Sequence, residues 1–531
     1  MIKKHRNMKR KLYIGLVMFA SLAILFNSCD QSELEDLYAD PGKSSIATVE
    51  QMYTGVLKGA NEVVLPWYYR FFVVEQPTMG HYTQTMGWQN GNDQYLVPAQ
   101  VINWRWSQFY SGVMTNYRVF EQLYDELSDE KKAELKVFSL TLKVFFYDQT
   151  QNMIDIYGDI PWSEAGRVRQ LGDLNAALPK YDDAKTIYET MIADLKMISD
   201  ELATVTLDPF TAGVFQDKDF LNDGDVMLWR KYANSLRLRM LMRMSGVADV
   251  STQIAEILND TGKYPIIENN AENVMLDSDG DLSSTTSSGT GGIRSAMETW
   301  GVYDIAPKAV CDFMFNNADP RLEIMFDPNI EGVYAGMDPL ANSTSQTEDL
   351  AAGMIARYDT ATFTRNSNFP GFVIGAAEVS MIKAEAITQG MVGGDAKAAY
   401  NTGVEQSIEF YYGINAGGDY REPIVMDAAA VAAYLNAAEV SWDANADKIN
   451  LIATQKWLNS GLGSMTQTWT ELRRLKKPVL EFTPDNATAS GQTLPPMRWL
   501  YPSSEKSLNG ANYEAVIAKD KLNEKIFWDA N

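Results

Sequence analysis

Few side chains in this sequence are suited to covalent or metal chemistry. Among 531 residues there are two histidines, His5 and His81, and two cysteines, Cys29 and Cys311. Clusters of His and Cys ligands for zinc, a disulfide framework and a catalytic triad all need more of these residues, and no Gly-x-Ser-x-Gly motif accompanies His81. The sequence therefore predicts a protein that is not an enzyme, with no catalytic residue, no cofactor and no metal ion.

Acidic residues leave two alternatives open. The run DSDGD at 277–281 resembles the start of a calcium loop, but Leu282 and Ser288 stand where that loop needs Gly and Glu. A looser calcium site and a solvated acidic turn both stay possible there. Glycoside hydrolysis needs only two carboxylates, and nothing marks a particular pair among the 69 acidic residues. The net charge of −23 predicts that the chain binds no nucleic acid, because such a surface repels phosphates.

Aromatic residues give the strongest binding signal. Phe, Trp and Tyr occupy twelve of the 44 positions at 67–110. Sugars stack their flat C–H faces on aromatic rings, while amides bond their hydroxyl groups. Trp88 and Tyr95 lie in the amide-rich run GWQNGNDQY (87–95), with Tyr82 nearby, whereas Trp104 follows helical spacing and is predicted to be core.

A second irregular region supplies two more rings, Trp300 and Tyr303. We predict that they meet the first three in one open ligand-binding face of Tyr82, Trp88, Tyr95, Trp300 and Tyr303. The alternative is that these rings simply pack their loops onto the body of the protein.

The elements that must position these rings are helical. Apolar residues recur at three- and four-residue steps over most of the chain, which predicts an all-α fold. The predicted helices cover 107–127, 132–157, 183–202, 225–245, 375–389, 396–412 and 448–474, the last interrupted at Gly461 and Gly463. Regions at about 61–106 and 267–371 resist this pattern and are predicted to be irregular loops. No clean 34-residue repeat is present, and the loop-like tail at 484–531 carries large apolar residues that predict packing on the body.

The N-terminus has the layout of a bacterial lipoprotein signal. A basic front and an apolar run end at Asn27-Ser28-Cys29, where a small residue precedes the cysteine. We expect a signal peptide at 1–28, a lipidated Cys29 with an acidic tether at 29–45, and one helical domain at 46–531. The acidic residues at 30–36 suit either a solvated tether or a signal for export to the cell surface.

Six short motifs follow one another along the chain. They are DIYGDIPW (155–162), WRKYANSLRLR (229–239), DPR (319–321), EVSMIKAEA (378–386), WTELRR (469–474) and YPSSE (501–505). Together with the lipoprotein start, they resemble the SusD/RagB family of outer-membrane lipoproteins, in its SusD-like branch. We expect the motifs themselves to have structural roles.

The resemblance implies a fold of tetratricopeptide-type helix pairs with long loops that form the ligand face. It implies a lipid-anchored protein of the outer membrane that faces the exterior and works with a SusC-like TonB-dependent transporter. The implied ligand is an oligosaccharide, or in some members an oligopeptide. A glycan-degrading surface enzyme and a helical scaffold that binds another protein remain the competing hypotheses.

Cys29→Ala tests the lipoprotein prediction. The variant loses the acylated thiol, so we expect either release of the protein from membranes or accumulation of an unprocessed precursor, both visible by fractionation and mass spectrometry. Cys311→Ala, in an apolar helical context, is the matched control and should be processed normally. A Cys29→Ala protein that is processed and membrane-bound like the wild type would contradict the prediction.

Overall fold

Helices make up most of the regular structure. The computed structural model describes residues 47–278, 292–298, 301, 303–488 and 490–530, and the chain is all-α as predicted. The longer helices are α1 (Val49–Gly59), α2 (Ala99–Ser107), α3 (Thr115–Asp125), α4 (Lys136–Tyr157), α5 (Ala184–Leu202), α6 (Pro209–Lys218), α7 (Val226–Met244), α8 (Ser251–Asn259), α9 (Lys308–Asn316), α10 (Ser343–Ala351), α11 (Ala376–Thr388), α12 (Ala396–Ala416), α13 (Lys448–Ser460) and α14 (Met465–Leu475).

Shorter elements connect these helices. Short α-helices are Asn61–Val64, Asp129–Glu134, Val168–Leu171, Ile293–Glu298, Leu322–Met325, Ala428–Tyr434, Ser503–Leu508 and Gly510–Tyr513; 3₁₀ turns are Leu174–Ala177, Asn270–Glu272 and Ile517–Lys519; π-helical segments are Tyr69–Gly80, Gln108–Met114 and Thr360–Thr364. In the described ranges, six short strands pair antiparallel as β1 (Ile160–Pro161) with β2 (Tyr181–Asp182), β3 (Val274–Leu276) with β6 (Gly371–Ile374), and β4 (Phe326–Asp327) with β5 (Arg357–Tyr358).

Local signals explain where the predicted helices begin and end. Asp183 accepts a hydrogen bond from the backbone N–H of Thr186 at the start of α5, as aspartates do at helix N-termini. Asp395 and Asp447 cap α12 and α13 in the same way. Gly158 ends α4 with a φ of +79°, a conformation that a glycine adopts without strain. These caps account for the close agreement between predicted and observed bounds.

The two regions predicted to be irregular contain more helix than expected, which corrects the sequence prediction. The first includes the π-helical segment Tyr69–Gly80 and α2, and the second includes α9, α10 and the π-helical segment Thr360–Thr364. Pro77 lies inside the first π-helical segment, and such a residue normally ends an α-helix. A five-residue hydrogen-bond step also changes the spacing of apolar residues, so the usual periodicity does not reveal it.

Helices α7 and α11 lie at the centre of the helical packing, and their neighbours in the chain pack on them. Helix α5 packs on α4 and α7, α7 on α11, and α11 on both α12 and α13. The described residues from Val49 onward form one compact unit with a continuous hydrophobic core. In the described part of the chain, no helix is long and apolar enough to cross a bilayer.

Buried arginines of α7 form ion pairs with residues of the helices that pack on it. Arg239 donates two hydrogen bonds to the carboxylate of Glu378 on α11, at 2.6 and 2.7 Å, and lies 3.3 Å from Asp148 of α4. Arg243 pairs with Asp155 of α4 and donates to Gln467 of α14. Because buried charges are costly without partners, these contacts fix how the helices stack.

Asp155, in the first motif, is fully buried and is the meeting point of distant segments. Its carboxylate accepts hydrogen bonds from Tyr188 of α5 at 2.5 Å and from the indole of Trp528 in the tail at 2.9 Å. Its backbone carbonyl accepts one from Arg473 of α14 at 2.8 Å. The tail is therefore part of the core, as predicted from its apolar residues.

The other motifs also hold the fold together. Arg474 pairs with Glu385 of α11 and with Glu471, while Lys456 of α13 donates to the same Glu385 at 2.7 Å. The role of Arg474 at the end of α14 is therefore to form these ion pairs, and not only to interact with the negative end of the helix dipole. Their structural role agrees with the expectation for the motifs.

Arg321, in the third motif, joins α12 and α13. It is fully buried, pairs with Asp319 at 2.6 Å, and donates to Ser407, Tyr434 and Gln455 at 2.8, 3.0 and 3.0 Å. No other cation forms an ion pair with Asp319 among the described residues.

Arg321→Met is expected to lower the free energy of unfolding by about 3–5 kcal/mol, since it strands the buried carboxylate of Asp319. Lys397→Met is the matched control, because its pair with Asp443 is solvent-exposed and contributes about 1 kcal/mol at most. Urea denaturation followed by circular dichroism measures both. Equal losses for the two variants would contradict a central role for Arg321.

Candidate functional site

Two rings of the predicted ligand face are buried. Tyr82 is 3% exposed, and its hydroxyl donates to the carbonyl of Tyr95 at 3.1 Å. Tyr95 has no exposed surface, and its hydroxyl donates to the carbonyl of Thr483 at 3.0 Å. Their rings pack against Trp469 and Phe482, respectively. The expectation that these rings are open to solvent is therefore wrong, because residues far along the chain cover them.

Trp88 is also buried, with 4% of its surface exposed. Its indole stacks on His81 with the ring centres 4.7 Å apart and donates to the side chain of Gln94 at 3.3 Å. Burial lowers the pKa of His81 to about 4, so the imidazole is neutral at pH 7. This pair packs the loop onto the body, which corrects the expected open position of Trp88.

The structure does bring the two ring-bearing regions together. Tyr303 is half-buried and contacts the edge of Phe72 with ring centres 4.3 Å apart. The backbone N–H of Gly87 also donates to the carbonyl of Ile305 at 2.9 Å. Trp300 lies outside the described residues. A role for Tyr303 in ligand binding stays a prediction.

A different set of half-buried rings lies at this junction, and we call it the aromatic surface. It consists of Trp67, Tyr68, Tyr69, Phe72, Trp104 and Tyr303. Trp104 contacts both Trp67 and Tyr69, with ring centres 6.5 and 5.2 Å apart. Phe72 joins Tyr68, at 4.9 Å, to Tyr303. The ring contacts form two groups, Trp67 with Tyr69 and Trp104, and Tyr68 with Phe72 and Tyr303. Partly exposed rings suit stacking against the flat face of a ligand.

The start of the π-helical segment explains how these rings reach the surface. Tyr68 and Phe72 are four positions apart and come to the same side, while Phe71 between them is fully buried. The indole of Trp67 donates to the carbonyl of Glu62 at 2.9 Å, which holds that ring at the edge of the segment. π-helical insertions occur frequently at functional sites.

Sequence reasoning missed five members of the aromatic surface. Trp104 was predicted to be core, yet it is half-buried, whereas Trp106 and Phe109 next to it are buried. The available signal was the dense run Trp67, Tyr68, Tyr69 at the start of the π-helical segment, because three successive large rings cannot all point into the core.

Cys311 and the acidic run give no sign of a further site among the described residues. Cys311 is buried, and burial raises the pKa of its thiol, which makes the thiol unreactive. The described residues contain no cluster of three or more potential metal ligands, and Asp279, Gly280 and Asp281 of the acidic run lie outside them. Cys29 and the predicted signal and tether also lie outside the described residues.

The fold and motifs agree with comparisons to known proteins. Residues 50–502 match the SusD-like family described as "Starch-binding associating with outer membrane". The match spans most of the chain, so this protein belongs to the SusD-like family. No curated protein sequence matches the chain significantly.

Solved structures share the fold at low sequence identity. A chitin-binding SusD homolog from Flavobacterium johnsoniae is 21% identical with a TM-score of 0.70, covering 90% of this chain and 99% of its own. A SusD homolog from Bacteroides fragilis NCTC 9343 is 21% identical with a TM-score of 0.71, covering 91% and 100%. A third structure, a chitin-binding protein, has a TM-score of 0.72 at 21% identity, again covering 91% and 100%.

Trp88→Ala should lower the free energy of unfolding by about 3–5 kcal/mol, because it empties a buried site beside His81. Phe315→Ala provides the control, since Phe315 is 62% exposed and its loss should change stability little. Thermal and urea unfolding of both variants measure the difference. A Trp88→Ala protein as stable as the control would place this ring outside the core.

Proposed function

We propose that this protein is a cell-surface nutrient-binding lipoprotein that captures oligosaccharides on the aromatic surface and delivers them to a SusC-like TonB-dependent transporter. The aromatic surface is the observation that carries the proposal. Family membership supports the outer-membrane setting, and two of the solved relatives are described as chitin-binding. The proposed anchor is the lipid on Cys29, with the body facing the exterior.

The geometry of the aromatic surface suits binding without catalysis. Its rings offer several stacking positions across Trp67, Tyr69 and Trp104 on one side and Tyr303 on the other. Each stacked ring contributes on the order of 1 kcal/mol, so the affinity is shared and the ligand can be passed on. We therefore propose that the protein holds its ligand and does not hydrolyse it.

Polar groups next to the rings can bond to sugar hydroxyls. Asn103 is exposed and directly precedes Trp104, so its amide can reach a sugar that stacks on that ring. A ring beside an amide meets both the apolar face and the hydroxyl edge of a sugar. Oligopeptides are the other ligand class to test, because rings and amides also bind peptide backbones.

Trp104→Ala and Tyr69→Ala should each weaken oligosaccharide binding about five- to tenfold, since each removes one partly exposed stacking ring. Calorimetry of the mature domain against oligosaccharide and oligopeptide panels measures the effect, with unfolding temperatures within a few degrees of wild type.

Phe210→Ala is the matched control for these variants. Phe210 is 76% exposed on α6 and does not belong to the aromatic surface, so its loss should leave the affinity unchanged. Binding of oligopeptides alone would reject the sugar assignment, and steady release of reducing sugar by purified protein would reject a purely binding role.

A further inference from the structure

A narrow cavity lies beneath the aromatic surface. Side chains from Asn61–Val64, the π-helical segment Tyr69–Gly80, α2, α4 and α14 form its walls, and it has room for about three water-sized molecules. Trp104 lines this cavity and also belongs to the aromatic surface. The lining residues Asn152, Phe372 and Thr466 are half-buried like Trp104, so the cavity lies next to solvent.

Arg105 is in the wall of this cavity without a partner. The residue is only 7% exposed, and its side chain makes no hydrogen bond or ion pair to any described residue. Its Nη1 atom is fully shielded from solvent. Burial lowers the pKa of Arg105 to about 10, which still leaves the guanidinium charged at neutral pH. A buried charge that forms no ion pair is energetically costly, so an anion bound next to Arg105 would be stabilised.

The acidic side chains in the same wall are already paired. Glu75 accepts a hydrogen bond from Arg70 at 2.9 Å, and Asp148 lies 3.3 Å from Arg239. Neither one forms an ion pair with Arg105. The positive charge of Arg105 is therefore available to a bound group.

A second donor without a partner belongs to a residue in the wall of the same cavity. Trp499 is fully buried and lines the cavity, and its indole N–H has no acceptor among the described residues. Two donors without acceptors favour an occupant that only accepts hydrogen bonds. A carboxylate has this property, fits the planar fork of an arginine, and is of a size that the cavity can hold.

We propose that this cavity binds the carboxylate of an acidic sugar, so that the ligands include uronic-acid oligosaccharides. The inference rests on the oligosaccharide binding proposed above. The sugar ring stacks on Trp104 while its carboxylate pairs with the guanidinium of Arg105 and accepts from the indole of Trp499. Trp104 and Arg105 are consecutive residues and both line the cavity. In a uronic acid the carboxylate is bonded directly to the sugar ring, so one sugar unit can contact both side chains.

The test uses galacturonate, glucuronate and mannuronate oligomers, each paired with its methyl ester, measured by calorimetry at 0.15 M salt. The ester keeps the ring and removes the charge. At least one acid should bind about 10- to 100-fold more tightly than its ester, as expected for a charge-assisted pair. Arg105→Gln should abolish that preference and leave binding of the ester unchanged. Arg169→Gln, at an exposed position, is the matched control and should keep the preference.

Trp499→Phe is a second variant, which removes the indole donor and keeps an aromatic ring at the buried site, at some cost in stability. It should reduce the affinity for the acid a few-fold without changing that for the ester, so the proposal remains testable if Arg105→Gln does not fold. Equal affinities of acid and ester throughout the panel, or a preference that survives in Arg105→Gln, would overturn the proposal. Binding of the esters or of neutral oligosaccharides would then still support the proposed function, whereas no binding of any sugar would reject both.

Discussion

The burial of Asp155 sets a constraint that the rest of the body satisfies. A carboxylate removed from water needs hydrogen-bond donors and positive charge around it. Here they come from α5, α7 and the tail through Tyr188, Arg243 and Trp528, and Arg473 of α14 binds the carbonyl of the same residue. These partners can meet only if the helices stack in one arrangement. The position of the region that carries the rings follows from that arrangement.

The residues that identify the family and the residues proposed to bind ligand are different sets. Motif residues such as Asp155, Arg321 and Glu385 are fully buried and hold helices together. Tyr69 begins the π-helical segment and Trp67 lies two residues before it, and both half-buried rings are outside the motifs. A scaffold of this kind can keep its internal pairs while the exposed rings vary. The family therefore specifies the fold more closely than the ligand.

The sequence predicted the long helices well because their signals are local. Asp183 and Gly158 cap helices next to them in the chain, and apolar spacing marks the buried side. Trp88 and Tyr95 were misjudged because their neighbours in the sequence are polar, whereas the groups that cover Tyr95 come from residues nearly 390 positions away. The π-helical segment was missed because it has neither the spacing nor the composition of an α-helix. Local patterns carry no information about such distant contacts.

The contact between Trp528 and Asp155 joins positions 373 residues apart. A contact of this sequence separation forms only after a large loop closes, which slows folding of the whole unit. During synthesis, α4 emerges long before the indole that donates to its buried carboxylate. Until then this part of the core is incomplete, and its apolar surface needs protection from aggregation. A binding surface on such a core is complete only near the end of folding. A chain that has not yet packed its tail therefore cannot bind ligand.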